Sequence, residues 1–187
     1  MKTLTLSLLS FAIATQFASA ATITGSTQGD PTWRRPVAGG NIQTLSNMGT
    51  AVPYDVIQFT VSGAGNYSFQ ETAAHNWDNY TFLYSTSFDP THQLINVVAG
   101  NDDNPSIGRS GFTAHLSSSV QYYFVSTGFD NHDFGSFSLS ISGPGSINFA
   151  NTIVASSDTA PVPEPSTIAL GGIGALLLFV VNRSSAC

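Results

Sequence analysis

The chain has 187 residues, enough for one ordinary domain, and its 5 basic and 11 acidic side chains give a formal net charge of −6. A nucleic-acid-binding protein needs a basic stripe that displaces phosphate counterions, and this composition excludes one. Cys187 is the only cysteine, so no intramolecular disulfide can stabilise the domain.

Residues 1–20 predict a secretory signal peptide. Lys2 supplies the positive end, "LTLSLLSFAIA" is the apolar stretch, and Ala-Ser-Ala forms a small-residue cleavage site before Ala21. An uncleaved anchor is the alternative, but the apolar stretch is short for a membrane span. Cleavage would leave four arginines against eleven acidic residues, 4 − 11 = −7, and no lysine.

Residues 21–155 predict a single domain made of β-strands. In "FGSFSLSIS" (134–142), Phe137, Leu139 and Ile141 alternate with serines, as in a strand with one buried face. Similar alternation occurs in "YDVIQFTV" (54–61), "GNYSFQE" (65–71), "NYTFLYS" (79–85) and "QYYFVST" (121–127), and "HQLINVVA" (92–99) and "RSGFTAHL" (109–116) are further candidate strands.

The spacing of these runs predicts an all-β fold, an antiparallel two-sheet β-sandwich with jelly-roll or Greek-key connections. Turn-forming clusters such as "SGAG", "FDPT" and "GPGS" separate the runs. Each large side chain buried in such a core contributes roughly 1.5 to 3 kcal/mol, so the domain needs no covalent staple. The expected interior positions are Phe59, Tyr67, Phe69, Phe82, Tyr84, Tyr123, Val125, Phe137 and Leu139.

Two acidic loops are candidate calcium ligands. "AGNDDNPSIGRSG" contains Asp102 and Asp103, and "GFDNHDFG" contains Asp130 and Asp133. Calcium takes six to eight oxygen ligands, which carboxylates, amides and backbone carbonyls of two loops could supply together. The alternative is that these residues only form turns, which Asp and Asn favour, and the spacing is not that of an EF-hand.

Trp33 and Trp77 are candidate glycan-binding residues, because both lie in polar stretches, "DPTWRRP" and "AAHNWDNY". An exposed ring could stack on a sugar while neighbouring polar groups bind its hydroxyls. Alternatively, each ring covers the edge of the core and its N–H finds a hydrogen-bond partner.

No catalytic motif is present in the sequence. The four histidines are scattered, and neither an H-E-x-x-H pair nor a G-x-S-x-G elbow occurs. The sequence therefore predicts a protein that is not an enzyme, with a surface hydrolase as the least favoured alternative.

The C-terminal part begins with a proline-punctuated linker, residues 156–162, followed by residues 163–187. Within the latter, residues 168–181 ("IALGGIGALLLFVV") carry no charge and predict a short transmembrane helix. Fourteen residues give a helix of about 21 Å, short of the roughly 30 Å hydrocarbon core. A retained single-span anchor is the alternative to a removable signal.

Pro163, Glu164 and Pro165, followed by Ser-Thr and the glycine-interspersed apolar segment, resemble the PEP-CTERM sorting signal of exopolysaccharide-producing bacteria. The resemblance implies recognition of Pro-Glu-Pro by an exosortase, a membrane-embedded processing enzyme, after transient insertion of the apolar helix. One departure is Arg183, which stands alone where members of the family carry several arginines.

Residues 50–147 resemble bacterial pre-peptidase C-terminal-like domains. The likeness rests on the order of an aromatic strand, the Phe-Asp-Pro turn, the Asn-Asp-Asp loop and a closing strand before Gly-Pro-Gly. It implies a non-catalytic β-sandwich, of a class in which some members bind calcium or extracellular polymers.

Together these features predict an exported surface or matrix protein, structural or adhesive, sorted to the cell envelope and associated with exopolysaccharide. A carbohydrate-binding module acting through loop aromatics is the competing hypothesis.

Overall fold

The computed structural model describes residues 18–150, which form two antiparallel β-sheets and contain no α-helix. The only helical segment within this range is one 3-10 turn at Ala74–Asn76. The strands are β1 (Ser19–Ser26), β2 (Thr32–Trp33), β3 (Val52–Val61), β4 (Gly65–Ala73), β5 (Asn79–Ser85), β6 (Val97–Asn101), β7 (Arg109–Leu116), β8 (Tyr122–Gly128), β9 (Ser136–Gly143) and β10 (Ile147–Phe149).

The first sheet has the strand order β1-β9-β4-β7, and the second has the order β10-β3-β8-β5-β6 with β2 paired to β3. Apart from the short strands β2 and β10, this is the order of a jelly roll, in which most connections cross between the sheets. The predicted all-β, antiparallel architecture is confirmed. Residues 1–17 of the predicted signal peptide and the predicted C-terminal apolar helix lie outside the described residues, whereas Ser19 and Ala20, the last two residues of that predicted peptide, belong to β1.

An aromatic core fills the space between the sheets. Phe69 of the first sheet stacks on Phe124 of the second with ring centroids 6.0 Å apart, and Phe59 stacks on Tyr122 at 5.7 Å. These side chains are almost completely buried. The predicted interior positions found here are Phe59, Tyr67, Phe69, Phe137 and Leu139.

A second apolar cluster lies on the outer face of the second sheet, where Trp33, Tyr80 and Val52 pack together. The predicted positions Phe82, Tyr84 and Val125 belong here and not between the sheets, and Tyr123 is only half-buried against this cluster. The predicted burial of Phe82, Tyr84 and Val125 is confirmed, but these side chains pack on the outer face of the second sheet. Because β2 and the segment after it cover this sheet, both of its faces are buried.

Three strands escaped the sequence analysis, namely β1, β2 and β10. For β1 the signal was present, since Thr22 and Thr24 alternate with buried Ile23. In "HQLINVVA" only the residues from Val97 onward form a strand. Within residues 18–150, no helix is long and apolar enough to cross a membrane.

Candidate functional site: an aspartate cluster in three converging loops

Three loops, those after β4, β6 and β8, converge beside the sandwich. The first two bring Asp78, Asp102 and Asp103 together, with one carboxylate oxygen from each within 4.8 Å of the others. We call these three residues the aspartate cluster. The loop after β8 joins the first loop through the Phe129 N–H, which donates to the Asp78 carbonyl at 2.9 Å.

Two asparagines hold the loop between β6 and β7 in place. Asn101 Oδ1 accepts a 3.1 Å hydrogen bond from the Gly111 N–H, and Asn104 Nδ2 donates to the Gly111 carbonyl at 2.9 Å. The side chains thereby replace backbone bonds of a turn, as Asn commonly does. Asp102 and Asp103 are positioned between these two anchors.

Partial burial and nearby like charges raise the pKa of Asp78 to about 6. Burial is the largest cause, followed by the carboxylates of Asp102, Asp133 and Asp103, while Arg35 acts in the opposite direction. The pKa of Asp102 is also raised, by burial first and then by Asp103. Oδ1 of Asp78 and Oδ1 of Asp102 are inaccessible to solvent and lack a hydrogen-bond partner. Such an arrangement favours a cation, because a cation would compensate both the unsatisfied oxygens and the repulsion.

Arg35 lies beside the cluster and is only 2% exposed. Its Nε and Nη2 donate to the Phe129 carbonyl at 3.0 and 2.7 Å, Nη1 donates to the Pro36 carbonyl at 2.9 Å, and the guanidinium lies 3.9 Å from the centre of the Tyr80 ring. Arg35, Asp102 and Asp103 line one cleft of about 580 Å³. The described part of the chain shows no Arg–carboxylate pair within salt-bridge distance, so Arg35 interacts with the cluster through the longer-range field.

The two other predicted calcium ligands, Asp130 and Asp133, make hydrogen bonds within the loop after β8. Asp130 Oδ1 accepts from the His132 N–H at 2.7 Å, and Asp133 Oδ2 accepts from the Asp130 N–H at 3.0 Å. Neither belongs to the three-carboxylate group, although Asp133 adds to the negative field at Asp78. Sequence reasoning did not include Asp78 among the ligands. Its setting in "HNWDN", another polar loop, was the available signal.

The two tryptophans differ in accessibility. Trp33 is 3% exposed, donates from Nε1 to Thr127 Oγ1 at 3.0 Å and packs against the Phe82 ring. Its ring is therefore not presented for stacking on a sugar. Trp77 is half-buried, and its Nε1 donates to the Ser136 carbonyl at 3.0 Å. Both N–H groups have found partners, as expected for rings that cover the edges of a core.

The histidines do not gather around the cleft. His92 contacts Asp89 at 2.8 Å and His132 lies 3.6 Å from Asp130, both on exposed turns. None of the side chains lining the 580 Å³ cleft is a histidine. The described residues thus bring no histidine, carboxylate and serine together in this cleft.

Residues 161–184 match the PEP-CTERM protein-sorting motif. The sorting signal predicted from Pro163, Glu164 and Pro165 is thereby confirmed, although these residues lie outside the part that the structure describes. A motif of this class implies export and sorting to the cell envelope or surface. A comparison with curated protein sequences gives no match.

Two solved structures illustrate what the fold is similar to. The pre-peptidase C-terminal domain of collagenase from Bacillus anthracis is 19% identical, with 65% of this chain and 87% of that chain covered and a TM-score of 0.40. The K3 adhesin domain of Lys-gingipain from Porphyromonas gingivalis is 13% identical, with 68% and 91% covered and a TM-score of 0.32. The collagenase domain is of the kind that residues 50–147 resemble.

Proposed function

We propose that this chain is an exported, non-catalytic protein of the cell surface or extracellular matrix, processed by an exosortase-type enzyme. The observation that carries the proposal is the sorting motif at residues 161–184. In this mechanism a secretory signal peptide, residues 1–20, directs export. The apolar segment 168–181 then inserts transiently into the membrane, and the enzyme acts at Pro163, Glu164 and Pro165.

Mass spectrometry of the mature C-terminus, from protein recovered at the cell surface, tests the processing step. We expect the wild type to lack residues 166–187. Glu164→Ala should retain them in the membrane fraction, whereas the matched control Asp158→Ala, which removes a carboxylate outside the motif, should be processed normally. An intact C-terminus on wild-type surface protein would contradict processing and support a retained single-span anchor.

For the mature domain we propose a structural or adhesive role in contact with exopolysaccharide. The described domain supports this because no histidine lines its 580 Å³ cleft, and the pocket of about 240 Å³ where Ser87, Asp89 and His92 meet is formed by exposed turn residues. A carbohydrate-binding module acting through loop aromatics is the alternative, and Trp77 is the aromatic it would need, since Trp33 is buried. A surface hydrolase remains the least favoured function. Binding that disappears in Trp77→Ala would favour the module.

A second proposed function is the binding of one divalent cation, Ca²⁺, at the aspartate cluster. Two observations support it. One oxygen from each of the three carboxylates lies within 4.8 Å of the others, and the buried Oδ1 atoms of Asp78 and Asp102 have no hydrogen-bond partner. Asp78, Asp102 and Asp103 would be the ligands, and nearby carbonyl groups or water would complete the oxygen shell that Ca²⁺ requires. The bound ion would tie two loops together.

Thermal unfolding with excess Ca²⁺ and with EGTA tests this site. A ligand that binds only the folded state raises the Tm, with a shift that grows with its free concentration. We expect such a rise for the wild type and none for the triple variant with Asn at positions 78, 102 and 103. Equal Tm values in Ca²⁺ and EGTA would leave these residues as turn formers only.

A further inference from the structure

Apart from Arg109 and His115 on the edge strand β7, the outward face of the first sheet carries uncharged side chains, most of them small and polar. In one row Thr24, Ser138 and Thr72 lie on three neighbouring strands in register. We call this surface the hydroxyl face. Its hydroxyl-bearing residues are Thr22, Thr24, Ser68, Thr72, Thr113, Ser136, Ser138, Ser140 and Ser142.

The hydroxyl face is free of carboxylates although the domain is strongly acidic. Residues 18–150 contain three arginines and nine acidic residues, 3 − 9 = −6. Asp55 and Glu71 lie on the inward side of their strands, and the other seven acids lie in loops. Arg109, on the edge strand β7, is the one arginine on this face. Ordinary solvated surfaces mix charges of both signs, at roughly a quarter to a third of positions.

The two sheets also differ in what covers them. Trp33 and the segment after β2 bury the outer side of the second sheet. On the first sheet, Thr22, Ser140 and Thr113 are exposed, and no described element packs over them. Neighbouring hydroxyls contact one another, with Thr22 Oγ1 3.1 Å from Ser140 Oγ and Ser68 Oγ 3.3 Å from Thr113 Oγ1.

A shallow groove of about 520 Å³ opens at one end of this face. Thr24, Thr72, Ser136 and Ser138 line it together with apolar neighbours such as Phe137. Half-buried Trp77 is not one of the residues that line the groove, although its Nε1 donates to the carbonyl of Ser136, which is. A groove with several hydroxyls and apolar side chains such as those of Ala73 and Ala74 provides both polar contacts and an apolar surface.

We infer that the hydroxyl face and its groove bind an extended, neutral, hydroxyl-rich polysaccharide chain. Each Ser or Thr hydroxyl can donate and accept a hydrogen bond, which matches the dual character of sugar hydroxyls. An anionic polymer would be repelled by the −6 domain, whereas a neutral chain meets no carboxylate on this face. The inference rests on the proposed contact with exopolysaccharide and assigns it to a surface.

Affinity electrophoresis of the full chain tests the surface, in gels containing dextran, xylan or mannan as neutral probes and alginate as the anionic probe. We expect retardation by at least one neutral polymer and none by alginate. Ser138→Glu and Ser140→Glu should each weaken that retardation by roughly tenfold or more, since an unpaired carboxylate would be pressed against the polymer. Ser118→Glu, the same change on the exposed β7–β8 turn, should leave it unaltered.

The alternative outcomes separate this inference from the function on which it rests. Wild-type retardation that persists in both folded face variants would overturn the hydroxyl face and leave polysaccharide contact elsewhere. Retardation by alginate alone would overturn the neutral class of polymer. No retardation in any gel would overturn both the binding role of the hydroxyl face and the proposed contact with polysaccharide. The sorting step is tested separately, by mass spectrometry of the mature C-terminus. Equal Tm values for all variants would confirm that they are folded.

Discussion

The side-chain amide of Asn79 donates a 2.9 Å hydrogen bond to Oε1 of Glu71 in the interior of the sandwich, where both residues are 0% exposed. The second carboxyl oxygen of Glu71 has no hydrogen-bond partner, and neither has Ser126 Oγ. Burial raises the pKa of Glu71 to about 8, although the hydrogen bond from Asn79 favours the charged form. Glu71 is therefore a neutral acid at neutral pH, and within residues 18–150 no basic side chain lies within salt-bridge distance of it.

This pKa predicts that the domain loses stability as the pH rises. The folded state keeps the Glu71 proton between pH 4.5 and about 8, where the unfolded chain releases it. Folding then binds the extra proton, so the free energy of unfolding falls by up to about 1.4 kcal/mol per pH unit across this window. Urea unfolding at a series of pH values measures the slope.

The variant Glu71→Gln keeps the shape and removes the proton, so its stability should decline less than that of the wild type towards pH 8. Asp89→Asn is the control, because Asp89 has a pKa lowered to about 2 and lies on an exposed turn. Superimposable pH profiles for the wild type and Glu71→Gln would contradict the neutral form.

Arg35→Lys should destabilise the domain by about 2 to 4 kcal/mol, because a lysine cannot reproduce three guanidinium bonds and the stacking on Tyr80. Its neighbour Arg34 is exposed and bonds Ser46 and Asn47 at the surface. Arg34→Lys should change stability by less than about 0.5 kcal/mol. Chemical denaturation of the two variants makes the comparison, and equal losses would contradict the buried role of Arg35.

Trp33 and Trp77 should be distinguishable by fluorescence. In Trp77→Phe the remaining emission comes from buried Trp33 and should be blue-shifted and resistant to acrylamide. In Trp33→Phe it comes from half-buried Trp77 and should be quenched more readily. The free energy of unfolding of the Trp33→Phe variant should also fall by about 1 to 3 kcal/mol, because the Thr127 hydroxyl oxygen no longer accepts the buried hydrogen bond from the Trp33 N–H. Efficient quenching of Trp33 would contradict the covering of the second sheet.

At the aspartate cluster, Asp102→Asn should act with opposite signs in two buffers. In EGTA the variant should melt higher than the wild type, since one of three mutually repelling carboxylates is gone. In excess Ca²⁺ it should melt lower, because a ligand is missing. Asp30→Asn, the same charge change away from the cluster, should show no such reversal, and a reversal there would point to net charge as the cause.

Short-range pattern was sufficient to predict seven of the ten strands, β3 to β9, since an outward Ser or Thr between apolar residues is readable wherever one face is buried. It did not show which face of β5 and β8 meets the other sheet, because both faces of these strands are buried. Phe82 of β5 lies on the outer face, whereas Phe124 of β8 lies on the face between the sheets. The grouping of Asp78 with Asp102 and Asp103 was equally out of reach. It depends on two loops, far apart in sequence, that the strand order brings together.

The sequence alone determined the sorting motif, the acidic composition and the all-β class, because each depends on residue identity or on a period of two along the chain. Only the tertiary structure decided which sheet face is covered, which carboxylates meet and which tryptophan is accessible. Those properties depend on crossovers that place Trp33 over one sheet and leave the hydroxyl face of the other open to solvent. Crossover connections bring segments together that are distant in sequence, and local alternation does not predict which segments meet.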